Sequence, residues 1–236
     1  MKVRADDTLM IEREVDARIT YPCYKSLDDL IDVERLKSLD AYMKERIARR
    51  LSASAGDYFL NQHRLDAATP YQPGAREIWL TRTLPGTPYD YLDLNRTELW
   101  RLTKEASEFA ALLEFIETLP FKETGRMLVI YDDTGAAVPA HRDHLETEVL
   151  HEFIWFRTNL GKPFYMLNHH TDTKLYVESY TAWFDTVNQF HGSDARPGLS
   201  FSIRVDGIFS DEFRRRIPVP ERNLASTPAL WACLTD

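Results

Sequence analysis

Three side chains in the second half of this chain, His141, Asp143 and His191, are of the types that hold a transition metal, and Arg204 beyond them is of a type that captures carboxylates. Strand side chains alternate with a period of two, so His141 and Asp143 leave one face of a strand end together. A distant histidine, His191, then completes that face. Two imidazoles and one carboxylate on one side of a metal are the donor set of an open Fe(II) site, with positions left for a co-substrate and O₂.

The chain holds 7 histidines, and a lone histidine among apolar residues is more often a hydrogen-bonded structural residue than a ligand, so spacing has to carry the case. His141 and Asp143 follow a strand and a turn, in Pro139-Ala140-His141-Arg142-Asp143, and His191 follows Trp183-Phe184-Asp185 and precedes Gly192. Both placements suit a rigid backbone. His144, His151 and the pair His169-His170 are rival ligands, from which a zinc hydrolase is a conceivable construction. Arg204 shares the parity of Ser202 and Ser200 on an expected last strand, which turns its planar fork of donors toward a carboxylate in the mouth of the fold. The competing reading is an ordinary surface ion pair with Asp206 or Asp211. Arg196 is the alternative anchor.

The elements that must position these residues are short strands. After Pro120 the chain reads as β runs at Arg126 to Tyr131, His151 to Thr158, Pro163 to Leu167, Lys174 to Val177, Ala182 to Asp185 and Ser200 to Val205, separated by Asp132-Asp133-Thr134-Gly135, Asn159-Leu160-Gly161 and Asp206-Gly207. Upstream, Glu77 to Arg82 alternates as a strand before Pro85-Gly86. Helical spacing predicts one helix from Ser26, as N-cap, to about Leu51, and a second from Thr97 to Leu119, ended by Pro120. The expected fold is α+β and mainly β: a double-stranded β-helix, or cupin-like jelly roll, buttressed by N-terminal helices. Residues 1–236 then form a single domain, with a helical and mixed part at 1–120, the jelly-roll core at 121–210 and a C-terminal extension at 211–236.

Composition narrows the function classes. At 236 residues, with 44% hydrophobic and 12% aromatic residues and only 9 glycines, the chain is an ordered globular protein. A formal net charge of -8 provides no footprint for a phosphate backbone, and the short basic runs Arg46 to Arg50 and Arg214 to Arg216 read as solvated helix faces, so nucleic acid is not an expected partner. No segment has the pattern of a secretory leader, and no apolar run nears the roughly 20 residues of a membrane helix. Cys23 and Cys233 alone make no disulfide framework. A cytoplasmic protein with a small-molecule substrate is the expectation.

At these residues the sequence resembles the Fe(II)/2-oxoglutarate-dependent dioxygenases, and within them the branch of the aspartyl/asparaginyl β-hydroxylases and bacterial cis-proline hydroxylases. The resemblance spans roughly residues 76–210. It is carried by Pro139 to Glu146, by Phe153 to Asn159, by Trp183-Phe184-Asp185 leading to His191-Gly192, and by Glu77 to Arg82. It implies that His141, Asp143 and His191 hold Fe(II) and that a basic residue on the last strand binds the distal carboxylate of 2-oxoglutarate. In that branch the arginine commonly follows the distal histidine by about ten positions, where this chain has residues near Gly198; Arg204 is preferred here, because Arg196-Pro197-Gly198 reads as a turn. Ser202 would add a hydrogen bond, and His151 or Arg157 is a candidate for the 1-carboxylate.

The resemblance further implies an enzyme that uses O₂, converts 2-oxoglutarate to succinate and CO₂, and hydroxylates an unactivated C–H bond, the iron supplying the hard chemistry while the protein orients and shields. A ligating Asp143 disfavours halogenation, since family halogenases lack that ligand. The implied substrate is a free amino acid or amino-acid-like metabolite, with Arg142, Glu146, Tyr131, Trp155 and Trp183 as candidate contacts, although aromatics at strand spacing are more often core. Alternatives are a peptidyl or carrier-bound amino acid, a non-catalytic cupin-like binding module, and a zinc or manganese cupin enzyme that does without 2-oxoglutarate.

Overall fold

Between Ser200 and Phe209 polar and apolar side chains alternate, Ser200, Ser202, Arg204 and Asp206 on one side and Phe201, Ile203 and Val205 on the other, which is the pattern of a strand between two unlike layers. A computed structural model of the protein describes residues 2–3, 15–16, 24–53, 58–59, 75–84, 96–143, 152–168, 171–186 and 189–216 and bears this pattern out. Strands β1 (Lys2–Val3) and β2 (Val15–Asp16) pair with each other. β3 (Lys25–Ser26), β4 (Tyr58–Phe59) and β5 (Arg76–Trp79) belong to the main sheet, and β6 (Thr81–Thr83) pairs with β7 (Trp100–Leu102). Then follow β8 (Phe121–Asp132), β9 (Val138–His141), β10 (Phe153–Phe156), β11 (Phe164–Asn168), β12 (Thr173–Tyr176), β13 (Thr181–Trp183), β14 (Phe190–Ser193) and β15 (Ser200–Phe209).

These last strands define the fold. The seven-stranded sheet has the order β3-β13-β10-β15-β8-β5-β4, and the four-stranded sheet the order β12-β11-β14-β9, with antiparallel pairing throughout. The chain therefore switches sheets at nearly every step, and β8-β15-β10-β13 faces β9-β14-β11-β12. That is the pairing scheme of the double-stranded β-helix, a jelly roll, as the strand pattern predicted. Both sheets line one cavity.

The outer face of the large sheet is covered by helices. Ile154 and Phe156 of β10, Val129 of β8, and Ile203 and Val205 of β15 join Met43, Ile47, Phe109, Leu112 and Phe115 in one buried cluster. Phe115 meets Phe156 edge to face at 5.6 Å between ring centres. Polar ties hold the helices in register: Tyr42 donates to the Glu108 carbonyl, and Thr158 and Asn159, just past β10, both donate to Asp40 at 2.6 Å.

Both predicted helices turn out broken, for tertiary reasons. Ser26 belongs to β3 rather than capping a helix, because Asp28 accepts from the backbone and hydroxyl of Thr181 at 2.7 Å and ties this segment to β13. Helix begins at Val33, capped by Asp32, which accepts from the Arg35 amide at 2.9 Å, and resumes at Asp40–Ala53 after a break at Leu39. Over Thr97–Leu119 the helical stripe is honoured only at Ala110–Ile116; Thr97–Leu99 and Glu105–Phe109 are 3₁₀ turns, and Trp100 to Leu102 between them pair with β6. Thr103 locks that departure by donating to the Trp79 carbonyl at 2.7 Å. Among the described residues no helix is long and apolar enough to cross a membrane.

Candidate metal centre

The centre is built on the pairing of β9 with β14, where His141 and His191 are direct cross-strand partners with ring centres 4.4 Å apart. Between Val138 and His141 the β9 backbone carries one residue more than β14 does between Ser193 and His191, a bulge. Pro139 falls within it, where proline is tolerated at a bulge of a strand that lies at the sheet edge among the described residues. On the facing strand, Gly192 admits no side chain: a Cβ there would lie 2.6 Å from the Val138 carbonyl oxygen and 2.7 Å from the Tyr165 hydroxyl. Close approach of β14 to both neighbours is thus built into the residue beside His191.

Each imidazole is oriented by the same local device. His141 Nδ1 lies 2.9 Å from the Pro139 carbonyl oxygen, and His191 Nδ1 lies 3.1 Å from that of Gln189, two residues back in each case. A carbonyl only accepts, so Nδ1 carries the proton and, in the neutral ring, the Nε2 lone pair points the other way. Both Nε2 atoms point at Asp143: its Oδ1 is 3.3 Å from His191 and 3.7 Å from His141. The Asp143 amide donates to the Thr186 carbonyl at 2.9 Å, which fixes the carboxylate just beyond the strand end.

One donor atom from each of the three residues lies within 4.8 Å of the others. Two imidazole lone pairs and a carboxylate oxygen converging on one point repel each other unless a cation stands among them, and histidines tied to carbonyls through the second ring nitrogen are the usual mark of metal ligation. The donors fit a first-row transition metal with one face left open. Burial by itself would raise the Asp143 carboxyl; with no metal bound, a doubly protonated His191, by its hydrogen bond and charge, together with Arg204 and His141, holds it well below the ordinary carboxylate range.

Arg204 is buried and faces the cavity, as its parity predicted, yet its guanidinium is committed to carboxylates. Nη1 donates to Asp143 Oδ2 at 3.0 Å, and Nε and Nη2 donate to Asp206 Oδ1 at 3.0 and 2.8 Å. The ion pair with Asp206 that a plain reading of the sequence offered is therefore real, but it is internal, with Asp206 0% exposed. Arg204 also lies over the Phe153 ring at 4.1 Å. Arg204 thus stands beside the candidate metal ligands, at the opposite end of the cavity from Lys162. Arg196 sits on an exposed turn, donates to the Gly161 carbonyl and does not line the cavity.

From the three donors a cavity of about 170 Å³ runs between the sheets, along Phe153 and Trp155 of β10 and Arg157 just past it, and along Ser202 and Ser200 of β15. Trp155 stacks on Phe164 at 4.6 Å, and Phe164 and Phe184 flank His191 at 6.0 and 5.4 Å, so the metal end is walled by aromatic rings. The far end is cationic. Lys162 donates to Asp132 Oδ2 at 3.0 Å and to the Ala136 carbonyl at 2.7 Å. Arg157, 4% exposed, donates to the carbonyls of Ser179, Lys162 and Val177, and burial brings its pKa down to about 10. Burial of Asp132 works to raise its carboxyl, but hydrogen bonds from Thr134 and Lys162 hold it below its ordinary value.

Other expected contacts fall elsewhere. Arg142 alternates away from His141 and Asp143, lies over the Phe190 ring at 4.9 Å and does not line the cavity. Tyr131 borders the cavity but is 1% exposed and belongs to the core cluster, while its neighbours Ile130 and Asp132 face inward. Trp183 is likewise core, and Phe184 takes its place in the lining. Glu146 and His151, with His144 and the pair His169-His170, lie outside the described residues. Lys162 was missed by sequence reasoning. Its signal is local: a lysine just past the Asn159-Leu160-Gly161 turn, at the mouth of a buried strand.

No family model matches the chain, and neither does any curated protein. Among solved structures it is similar to a prolyl-4-hydroxylase from Pseudomonas putida, at 13% identity and a TM-score of 0.42 over 81% of this chain and 95% of that one. It is also similar to a prolyl hydroxylase from Trichoplax adhaerens in complex with a hypoxia inducible factor peptide fragment, at 8% identity and a TM-score of 0.48 over 87% and 91%. A 2OG-Fe(II) oxygenase family oxidoreductase from Burkholderia pseudomallei gives 9% identity and a TM-score of 0.40 over 74% and 89%. At such distances the fold rests on the strand pairings of this chain and its function on the site.

Proposed function

We propose that this protein is an Fe(II)/2-oxoglutarate-dependent oxygenase that hydroxylates an unactivated C–H bond of a small substrate. The observation that carries the reading is the convergence of His141 Nε2, Asp143 Oδ1 and His191 Nε2 at one end of an inter-sheet cavity whose other end is cationic. His141, Asp143 and His191 would hold Fe(II), which supplies oxygen activation coupled to the conversion of 2-oxoglutarate to succinate and CO₂.

The remaining work falls to the protein. Arg157 and Lys162 bring two positive charges to the far end, where Asp132 is the carboxylate among the described lining residues and Asp28 acts on Arg157 from outside the cavity; the lining itself favours a bound anion there. Lys162, with the Ser200 and Ser202 hydroxyls and Asn159, takes the anchoring role for the distal carboxylate of 2-oxoglutarate that the sequence reading gave to Arg204 and Arg196. Trp155, Phe164 and Phe184 exclude water from the metal end, which strengthens each charge interaction inside. The likeness of residues 76–210 to the β-hydroxylase and cis-proline hydroxylase branch supports a free amino acid or amino-acid-like metabolite as the substrate, with Trp155 as a wall of its site.

Anaerobic addition of Fe(II) and 2-oxoglutarate to the full chain should produce the weak visible charge-transfer absorption of the chelate, and His141→Ala should abolish it. A screen of free amino acids and short peptides, read as succinate formed per O₂ consumed, then identifies the substrate. Folded protein that binds Fe(II) yet gives neither the absorption nor succinate would sink the proposal.

A further inference from the structure

Asp143 presents its two oxygens to different partners: Oδ1 to the histidines, Oδ2 to Arg204. Behind Arg204 stands Asp206, and behind Asp206 stands Arg126, whose Nε donates to Asp206 Oδ2 at 2.9 Å. We infer that Arg126, Asp206 and Arg204 form a positioning relay that holds Asp143 as a one-oxygen metal ligand. This rests on the metal centre proposed above and assigns roles to residues that touch neither metal nor co-substrate.

The relay is an unusual use of buried charge. Arg126, Asp206 and Arg204 are at most 9% exposed, and in sequence Arg126, Asp206, Arg204 and Asp143 read plus, minus, plus, minus. Such an array is electrically neutral as a whole, which keeps its burial tolerable, but buried ion pairs contribute little to stability compared with apolar residues of the same volume. What the array does supply is geometry. Asp206 grips the Nε and Nη2 edge of the Arg204 guanidinium, the Phe153 ring lies against its face at 4.1 Å, and only the Nη1 corner is directed at Asp143. A planar fork held on an edge and a face cannot swing.

The coordination count says why this matters. His141, His191 and one oxygen of Asp143 would hold the metal on one side and leave its remaining positions for 2-oxoglutarate and O₂. A carboxylate that rotated to offer both oxygens would take one of those positions. A guanidinium corner on Oδ2 opposes that rotation, and Asp206 fixes the corner in place.

The test uses Co(II), whose visible absorption reports coordination number, titrated into the full chain without 2-oxoglutarate. Arg204→Gln and Asp206→Asn should each weaken Co(II) binding by roughly 10–100-fold, the usual cost of losing an outer partner of a metal ligand, and should change the intensity of the absorption. Arg204→Lys, which keeps the charge without the fork, should recover affinity more than spectrum. Arg214→Gln cuts a more exposed guanidinium–carboxylate pair, with Glu152, away from the three donors, and should leave both unchanged. Circular dichroism identifies any variant that does not fold; Arg204→Lys and Asp206→Asn decide the matter if Arg204→Gln is lost. Folded variants with wild-type affinity and spectrum overturn the relay alone, whereas a wild-type chain that binds no Co(II) overturns the metal centre and the relay together.

Discussion

Along β15, Phe201, Ile203 and Val205 point to the helices and are at most 9% exposed, while Ser200, Ser202, Arg204 and Asp206 alternate with them on the opposite face. The first set joins a continuous apolar core, where each fully buried side chain contributes about 1.5–3 kcal/mol. The second set consists of hydroxyls and charges, and among its members Arg204 and Asp206 are as buried as the core itself. Ser200 and Ser202 are half-buried, but at Arg204 and Asp206 burial matches the apolar face while the chemistry is opposite, so one face holds the sheet to its helices and the other lines the candidate site. Stability and function are separated by a step of one residue along the same backbone.

That separation can be broken from either side. Phe156→Ala, on the helix face of β10, should cost about 3–5 kcal/mol in urea unfolding while the folded fraction keeps its metal affinity. Loss of both properties together would mean that the faces are not independent. His191→Ala should lower Co(II) affinity by at least ~100-fold, or about 2.7 kcal/mol, and shift the unfolding midpoint of the metal-free chain far less. Lys162→Met should raise the KM for 2-oxoglutarate by about 10-fold, or ~1.4 kcal/mol, with Co(II) affinity unaltered, because it acts at the far end of the cavity. A change in metal affinity instead would place the lysine nearer the triad than its partners Asp132 and Ala136 do. Arg196→Ala should change neither quantity and should stay within about 0.5 kcal/mol in stability, as an exposed side chain outside the cavity does.

How far the sequence was legible follows from the range of the interaction concerned. The His141 and Asp143 pair was readable from a two-residue period, and the strands from alternation, since both are local properties of a pleated chain. The inward direction of Arg204 was readable for the same reason. Its actual partners were not, because Asp143 and Asp206 meet it through the closure of two sheets, and no spacing along the chain records that closure. The long helix expected from Ser26 failed on a similar ground: Asp28 is drawn to Thr181, 153 positions away, and a contact of that range outweighs the modest preference of a helical stripe. Lys162 escaped notice because a lysine beside a turn is usually solvated, and only the cavity reveals it as 12% exposed.

The place of β9 in the fold carries one more consequence. Among the described residues β9 is an edge strand of its sheet, paired to β14, and the histidine of each strand faces the other across that ladder. A metal ion held by His141 and His191, with Asp143 just past the strand end, would therefore be a transverse staple on an edge strand. Occupancy of the site and closure of the sheet edge then become one equilibrium. Free metal at 100 times its dissociation constant would add about 2.7 kcal/mol to the bound form, and the amide hydrogens of Val138, Ala140 and His141 would exchange faster when metal is withdrawn.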